Sequence, residues 1–475
     1  VSFSLLLPEI ALALLALVLV CVDLLTPDKS KGWLGYLAVA GLIVPAAALA
    51  AVSGQATTGF FDTVAVDPLS TLVQAILLVS AAIVILSSID YVKRRSRYPG
   101  EYFALILFAT LGAMFLASGN ELITIYVAIE LTSISQYILA GFLKGDQRSS
   151  EAGLKYLLLG ALSSAVLLYG IALIYGSTGT TTLPGVREAL TRTAPSTFAL
   201  LGVGLLIAGF GFKMAVVPFQ MWVPDVYQGA PTPTTAFLSV SSKIAGFTVV
   251  LRVFGAGLQP LDQYWTLVFA LLAAVTMTLG NVAALRQTNV KRLMGYSSIG
   301  QAGYALTGLA AARHTTATGL LFFLLAYAIT NLAAFAAIIY FSDRLGSDEI
   351  ADYAGLGRRS PIMAGVLTIA LLSLVGLPPM VGFWSKVYLF LSAFDAGLVV
   401  LVVIGLLNSA LAAFYYLKIV HAMYLRAPTT DKDLPSTPNL SVAALVAVVG
   451  IFVAGIIPTP FIQAASAAAG VLFPQ

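Results

Sequence analysis

The chain has 475 residues, 59% of them hydrophobic and only 10% charged, with a formal net charge of +4. A soluble protein of this length carries about a quarter charged residues, so there is too little polar surface here to coat a water-soluble particle. One cysteine, Cys21, and two histidines, His314 and His421, exclude an iron–sulfur cluster or zinc site held by this chain.

Apolar runs recur at the length of about 20 residues that spans a hydrocarbon core. They predict an all-α polytopic membrane protein of fourteen spans. These lie near residues 4–25, 33–52, 69–89, 102–118, 121–143, 150–176, 197–222, 233–254, 264–285, 292–311, 316–342, 361–378 continuing through 384–394, 397–424 and 439–458. The chain opens directly in a span, without the basic segment or small-residue cleavage site of a signal peptide. The largest loop, around 177–196, has a hint of a short helix. An even number of spans puts both termini on one side. Sixteen lysines and arginines fall in one set of loops: Lys29, Lys31, Lys93, Arg94, Arg95, Arg97, Lys144, Arg148, Arg286, Lys291, Arg292, Arg344, Arg358, Arg359, Arg426 and Lys432. The opposite set holds four: Arg187, Arg192, Arg252 and Arg313. By the positive-inside bias both termini face outward, in a cell membrane.

Five lysines remain, all within spans: Lys155, Lys213, Lys243, Lys386 and Lys418. The acids sit mostly in loops or at span ends, with the exception of Glu130 in "NELITIYVAIELTSISQYIL". Ten residues into its helix, Glu130 is about 15 Å deep at 1.5 Å per residue, near the bilayer midplane. Charges at that depth are expensive unless paired or wetted, and they mark ion or proton pathways. A snorkelling lysine near a helix end is the bland alternative. It fits Lys418 well and Lys155 in part, but not Glu130, Lys213 or Lys386.

Two spans are interrupted. In "FGFKMAVVPFQMWVPDVYQGAP", Pro218 and Pro224 follow Lys213; in "LLSLVGLPPMVGFWSKVYLF", Pro378 and Pro379 precede Lys386. Proline removes a backbone donor and frees carbonyls, which must then be satisfied inside protein or by water. Paired interruptions in two halves of a transporter point to an ion site and to inverted repeats. The breaks fall in the seventh and twelfth spans, an odd offset that inserts the two units with opposite orientation. The expected layout within the single membrane domain, 1–475, is three N-terminal helices in 1–100, repeat A (helices 4–8) in 101–256, repeat B (helices 9–13) in 262–425 and a last helix in 438–475. On this reading each break opens a wet cavity, and each lysine needs one.

A chain with buried protonatable groups and no redox ligands fits a cation/proton exchanger or a proton-translocating subunit driven by a separate redox machine. A structural scaffold leaves Glu130, Lys213, Lys243 and Lys386 unexplained. "GFKMAVVPFQMWVPDVYQGAPTPTTAFLSVSSK", "KRLMGYSSIGQAGY" and "GLPPMVGFWSKVYLF" resemble the signature stretches of the antiporter-like subunits of respiratory complex I and of Mrp-type cation/proton antiporters, across essentially the whole chain. Within that superfamily "PDVYQGAPTP" followed by "FLSVSSK" resembles the subunit N branch of NADH-quinone oxidoreductase. The chain ends soon after the last span, without the long lateral helix of the L branch. An Mrp-type antiporter subunit or a related membrane-bound hydrogenase is the alternative.

The resemblance implies a proton pathway. Glu130 matches the glutamate that pairs with the lysine of span seven, Lys213. Lys243 matches the central lysine, Lys386 the protonatable residue on the release side, and Lys155 a span-six lysine near the glutamate. Gln220 and Gln301 stand where relatives commonly have histidine; with Lys418 and His421 they are polar side chains able to hold water, although glutamine carries no proton at physiological pH. The resemblance also implies no cofactor in this chain. FMN, Fe–S clusters and quinone belong to partner subunits: the antiporter-like M and L, the small K, J and A, the quinone-site H and the peripheral arm. Lipid is the surrounding solvent, and no nucleic acid is implied.

Overall fold

The computed structural model describes residues 3–192, 194–428, 433–435 and 437–473; Lys432 of the cation tally lies outside the described residues. The first five helices, α1 (Leu7–Leu25), α2 (Leu34–Gly41), α3 (Ile43–Val52), α4 (Pro68–Arg95) and α5 (Pro99–Ser118), form an N-terminal bundle. A short antiparallel hairpin, β1 (Thr57–Gly59) with β2 (Val64–Val66), leads into α4 and was not foreseen from sequence. The start of α4 is firmly set. Asp67 caps it by accepting from the Ser70 amide at 2.7 Å, Ser70 Oγ accepts in return from the Asp67 amide, and Pro68 stands in the first turn. Lys93, Arg94 and Arg95 in the last turn complement its dipole.

The middle of the chain runs through α6 (Leu122–Ala140), α7 (Gln147–Thr178), α8 (Leu183–Arg192) and α9 (Thr197–Met214). Helix α8 is the short helix hinted at in the largest loop. Helix α9 stops at Ala215, and the short α10 (Trp222–Gly229) and α11 (Thr232–Phe237) follow. Pro224 lies in the first turn of α10 rather than at the break, because there its missing N–H has no helical partner to lose. Helix α12 (Lys243–Arg252) is flanked by widened π turns at Leu238–Ser242 and Val253–Gly257.

Next come α13 (Asp262–Leu285), α14 (Val290–Thr307), α15 (His314–Leu345), the single turn α16 (Leu356–Arg359), and the interrupted pair α17 (Pro361–Val375) and α18 (Val381–Asp395). The chain closes with α19 (Val399–Leu425), α20 (Pro438–Ile456) and α21 (Thr459–Gly470), the last unforeseen. Helix α15 is apolar around its whole circumference and is the central pillar, packed against α4, α14, α17, α18, α20 and α21. Helices α1, α7, α13 and α19 turn leucines and valines outward, as Leu14, Leu158, Leu271 and Leu407 do.

Among the described residues twelve helices are long and apolar enough to cross a membrane. The more polar α14 and the interrupted α17–α18 fall outside that criterion. Two cations of the loop tally are misplaced by sequence, and the first, Arg252, is not in a loop but buried at the end of α12. Its guanidinium grips both carboxylate oxygens of Asp67, at 2.8 and 2.9 Å, and donates to the Ala117 carbonyl at 2.9 Å. Lys291, also counted in a loop, is buried in the first turn of α14 and donates to the Ala230 carbonyl at 2.7 Å.

Candidate functional site

Lys213, Lys243 and Lys386 are buried, and each is held by hydroxyl, amide or backbone carbonyl oxygens rather than by a carboxylate. Lys213, in the last turn of α9, donates to Ser133 Oγ at 3.1 Å and to Gln136 Oε1 at 3.0 Å, both on α6. Glu130 lies on the same face of α6 one turn earlier, half-buried, and accepts a hydrogen bond from Ser164 Oγ of α7. Tyr126 also contacts Ser164, at 3.2 Å. Among the described residues Glu130 and Lys213 form no ion pair. The expected pair is therefore not a direct contact: serine and glutamine stand between, on the same helical stripe.

Helix α12 meets α9 at Gly246, where a Cβ would sit 3.4 Å from Lys213 Cγ, so the helices that carry the first two lysines are in contact there. Lys243, directly after the π turn, donates to the Ser298 carbonyl of α14 at 2.6 Å. A π turn rotates the side chains that follow it, a device common at functional sites. Ser298 Oγ is reached by Tyr227 and Tyr327, each at 3.2 Å. Its neighbour Ser297 shares a 2.5 Å bond with Tyr416 of α19. Gln301, one turn on, donates to Tyr416 at 3.3 Å and to the Leu374 carbonyl at 3.4 Å.

Lys386 donates to that same Leu374 carbonyl at 2.9 Å, to Val375 O at 3.0 Å and to Ser409 Oγ at 3.0 Å, with its ammonium 4.9 Å over the Tyr304 ring. These carbonyls end α17 and are free because the chain turns at Gly376. A cavity of about 440 Å³ opens beside Lys386, walled by Phe383, Phe390, Leu406 and Ser409 among others. From Lys243 to Lys386 the polar groups therefore form a nearly continuous line along one side of α14. Among the described residues, Gln136 Nε2, Ser241 Oγ and Thr307 Oγ1 are buried polar atoms without a hydrogen-bond partner, as is Gln220 Oε1 at the first break. Such atoms are the places where water completes a network.

The structure separates other candidates from this line. Lys155, two turns into α7, does not lie beside Glu130. Its half-exposed side chain pairs with Glu151 and Asp225, each at 2.8 Å. Lys418 donates to the Gln287 carbonyl at 2.9 Å, the structural role that fitted it best, and His421 is exposed. Pro218 lies in the first break and Pro378 and Pro379 in the second; Val217–Pro218 and Pro378–Pro379 are cis. Sequence reasoning missed Ser133, Gln136, Ser297, Ser298 and Tyr416. The only signal for them was their polarity within apolar spans.

Comparison with known proteins gives the line its context. Residues 119–412, which hold Glu130 and all four lysines of the expected pathway, match the family described as NADH:quinone oxidoreductase/Mrp antiporter, TM. NADH-quinone oxidoreductase subunit N of Heliobacterium modesticaldum is 44% identical over 475 residues, covering 99% of this chain and 100% of that protein. A chain of respiratory complex I from Thermus thermophilus, solved with bound aureothin, is 34% identical with a TM-score of 0.82, covering 97% of this chain and 99% of that one. A chain of the Mrp complex from Dietzia sp. DQ12-45-1b superposes with a TM-score of 0.89 over 100% of this chain and 98% of that one; at 21% identity this likeness concerns the fold alone. The chain belongs to the NADH:quinone oxidoreductase/Mrp antiporter family of membrane subunits, on its subunit N branch.

Proposed function

We propose that the buried line carries protons across the membrane arm of an NADH-quinone oxidoreductase, driven by NADH oxidation and quinone reduction in partner subunits. The observation that carries this reading is the run of hydrogen-bonding groups from Lys243 through Ser298, Ser297, Tyr416 and Gln301 to Lys386. Lys213 and Glu130 feed it from the other end, with water at the unpartnered atoms. Gln301 takes the place of a histidine by bridging Tyr416 and the Leu374 carbonyl, so that it orders the line without carrying charge. Lys155 belongs to this proposal only as a charge at its margin. Moving one charge against 100 mV costs about 2.3 kcal/mol, which a modest change in the surroundings of a buried amine supplies.

In this reading α14 and the interrupted α17–α18 are spans as well, giving fourteen. Helices 4–8 and 9–13 are inverted copies, and both termini face outward from the cell membrane. FMN and Fe–S clusters sit in partner subunits, and the M, L, K, J, A and H subunits make up the membrane arm together with this one. Purification with large flavin and Fe–S subunits is the expected company; isolation with only small Mrp-type partners would count against it. The functional test is Lys386→Met in membrane vesicles. It is expected to keep the assembled complex and to abolish NADH-driven acidification. Normal pumping at unchanged turnover would refute the line.

A further inference from the structure

The motif "PDVYQG" touches the line through Tyr227, on Ser298 Oγ, but its Asp225 builds a separate ion cluster. We propose that Asp225 is a positioning residue: it fixes the detached helix α10 between α7 and α14, and through Trp222, Tyr156 and Gln136 it sets the hydrogen-bond partner of Lys213.

Helix α10 has eight residues and no helical continuity with α9, since residues 215–221 intervene. A helix that short has little stability of its own, so its place depends on side chains. Asp225 supplies two of these attachments. Its Oδ2 accepts from Lys155 of α7 at 2.8 Å, and its Oδ1 accepts from Arg292 of α14 at 2.7 Å. Gln228, one turn on, takes a second bond from the same Arg292 nitrogen at 3.2 Å. With Glu151 on Lys155 the cluster balances two cations against two anions. Without the Asp225 carboxylate, Lys155 and Arg292 would be left as like charges across α10.

Three residues earlier on α10, the Trp222 ring stacks on Tyr156 at 4.4 Å and 14°. Its indole N–H donates to the carbonyl of Phe212, next to Lys213, at 3.1 Å. Tyr156 is the residue after Lys155, and its hydroxyl donates to Gln136 Oε1 at 3.1 Å. That oxygen also accepts from Lys213 at 3.0 Å. Both acceptor positions of Gln136 are thus filled, one by the lysine that is to move a proton and one by a tyrosine that α10 holds in place. Freeing α10 would loosen the ring stack, release the tyrosine bond and let Gln136 turn its unpartnered amide towards Lys213.

This inference rests on the proton-line reading, and the experiment separates the two. In the assembled complex in vesicles, the readout is protons pumped per NADH oxidised. Asp225→Asn keeps the size of the side chain and removes its charge. It is expected to lower the ratio about five-fold, the change in an equilibrium that one lost hydrogen bond brings, while Asp225→Glu restores most of it. Tyr156→Phe keeps the stacked ring, loses only the hydroxyl and should show the same loss. The double variant Asp225→Asn, Tyr156→Phe should be no worse than either alone, because the two act in one chain. A parental ratio in Tyr156→Phe overturns the proposal. So does a loss in Asp225→Asn that merely follows the amount of assembled complex, or the absence of rescue by glutamate. Lys386→Met serves as control: if it pumps normally, the line itself fails. If it is blocked while Asp225→Asn and Tyr156→Phe pump at the parental ratio, only the positioning role fails.

Discussion

The two broken helices look alike in sequence, each pairing prolines with a buried lysine, but they hold that lysine in different ways. In the first, Lys213 precedes the break, and the carbonyls freed at the end of α9 are taken by others. Gly211 O accepts from the Val216 amide, and Phe212 O accepts from Ala215 and from the Trp222 indole. Lys213 turns away from its own break and rests on side chains of α6, the helix that carries Glu130. In the second, Lys386 follows the break and reaches back across it to the freed carbonyls of Leu374 and Val375. Side chains rearrange easily and backbone carbonyls do not. The first site is therefore built to change and the second to stay, and only the second fits the expectation that the break itself makes the seat for the amine.

If the second break is a rigid seat, filling it should be the most damaging change of all. The start of α18 passes so close to α17 that a Cβ on Gly382 would lie 1.8 Å from the Ser373 carbonyl oxygen. The obstacle is backbone, which cannot rotate aside. Gly382→Ala is expected to cost about 1–3 kcal/mol or more as an overpacked contact, seen as a several-fold loss of assembled complex on a native gel. At the first break, a Cβ on Gly211 meets the ring of Phe219 at 2.6 Å, a half-buried side chain that can swing away. Gly211→Ala should therefore assemble nearly normally. Equal damage from both would remove the distinction.

A smaller effect separates the two lysines by their partners. Gln136→Leu takes one of two acceptors from Lys213 and the acceptor of the Tyr156 hydroxyl. Ser409→Ala takes one of three from Lys386 and leaves both carbonyls in place. With each hydrogen bond worth about 0.5–1.5 kcal/mol net, the first change should reduce protons pumped per NADH several-fold and the second hardly at all. Vesicle acidification measured beside NADH oxidation checks this. Ser409→Ala as damaging as Gln136→Leu would mean that Lys386 does not rest on its carbonyls.

The sequence made the spans, the breaks and the lysines legible because each is a local property: hydropathy over about 20 residues, a proline, a charge inside an apolar run. What it left hidden lies between helices. Asp67 and Arg252 are 185 residues apart, and Arg252, near the end of its span, reads as a loop cation until Asp67 is seen to hold it. Lys155 looks like a member of the relay until Asp225, 70 residues on, is found at its ammonium. Glu9 reads as a residue near the end of the first span, yet it is buried and accepts from Gln74, 65 residues away. Periodicity states that a residue is in a helix and not which helix comes to meet it. The same limit hid Ser297, Ser298 and Tyr416, polar residues with no charge to draw notice, on which the line between Lys243 and Lys386 depends.

The smallest predicted effect concerns the turn itself. The second break turns at Gly376, with φ +99°, and the first at Ala215, with φ +61°. An L-residue in that left-handed region costs roughly 1–2 kcal/mol, and this term alone favours glycine at 215. Two terms oppose it. Glycine loses more freedom on folding, by about 0.4–1 kcal/mol. Ala215 is also fully buried, and losing its methyl gives up about 0.8 kcal/mol of burial. Ala215→Gly should therefore leave stability within about 0.5 kcal/mol of the parent, the near-cancellation of these terms. The heat-inactivation midpoint of the detergent-solubilised complex is the measurement. A clear gain in stability would mean that the first turn is strained and held by its surroundings, as the second lysine is. A clear loss would mean that the alanine methyl packs against something the first site cannot spare. No shift is the outcome expected of a turn that tolerates change because its lysine does not depend on it.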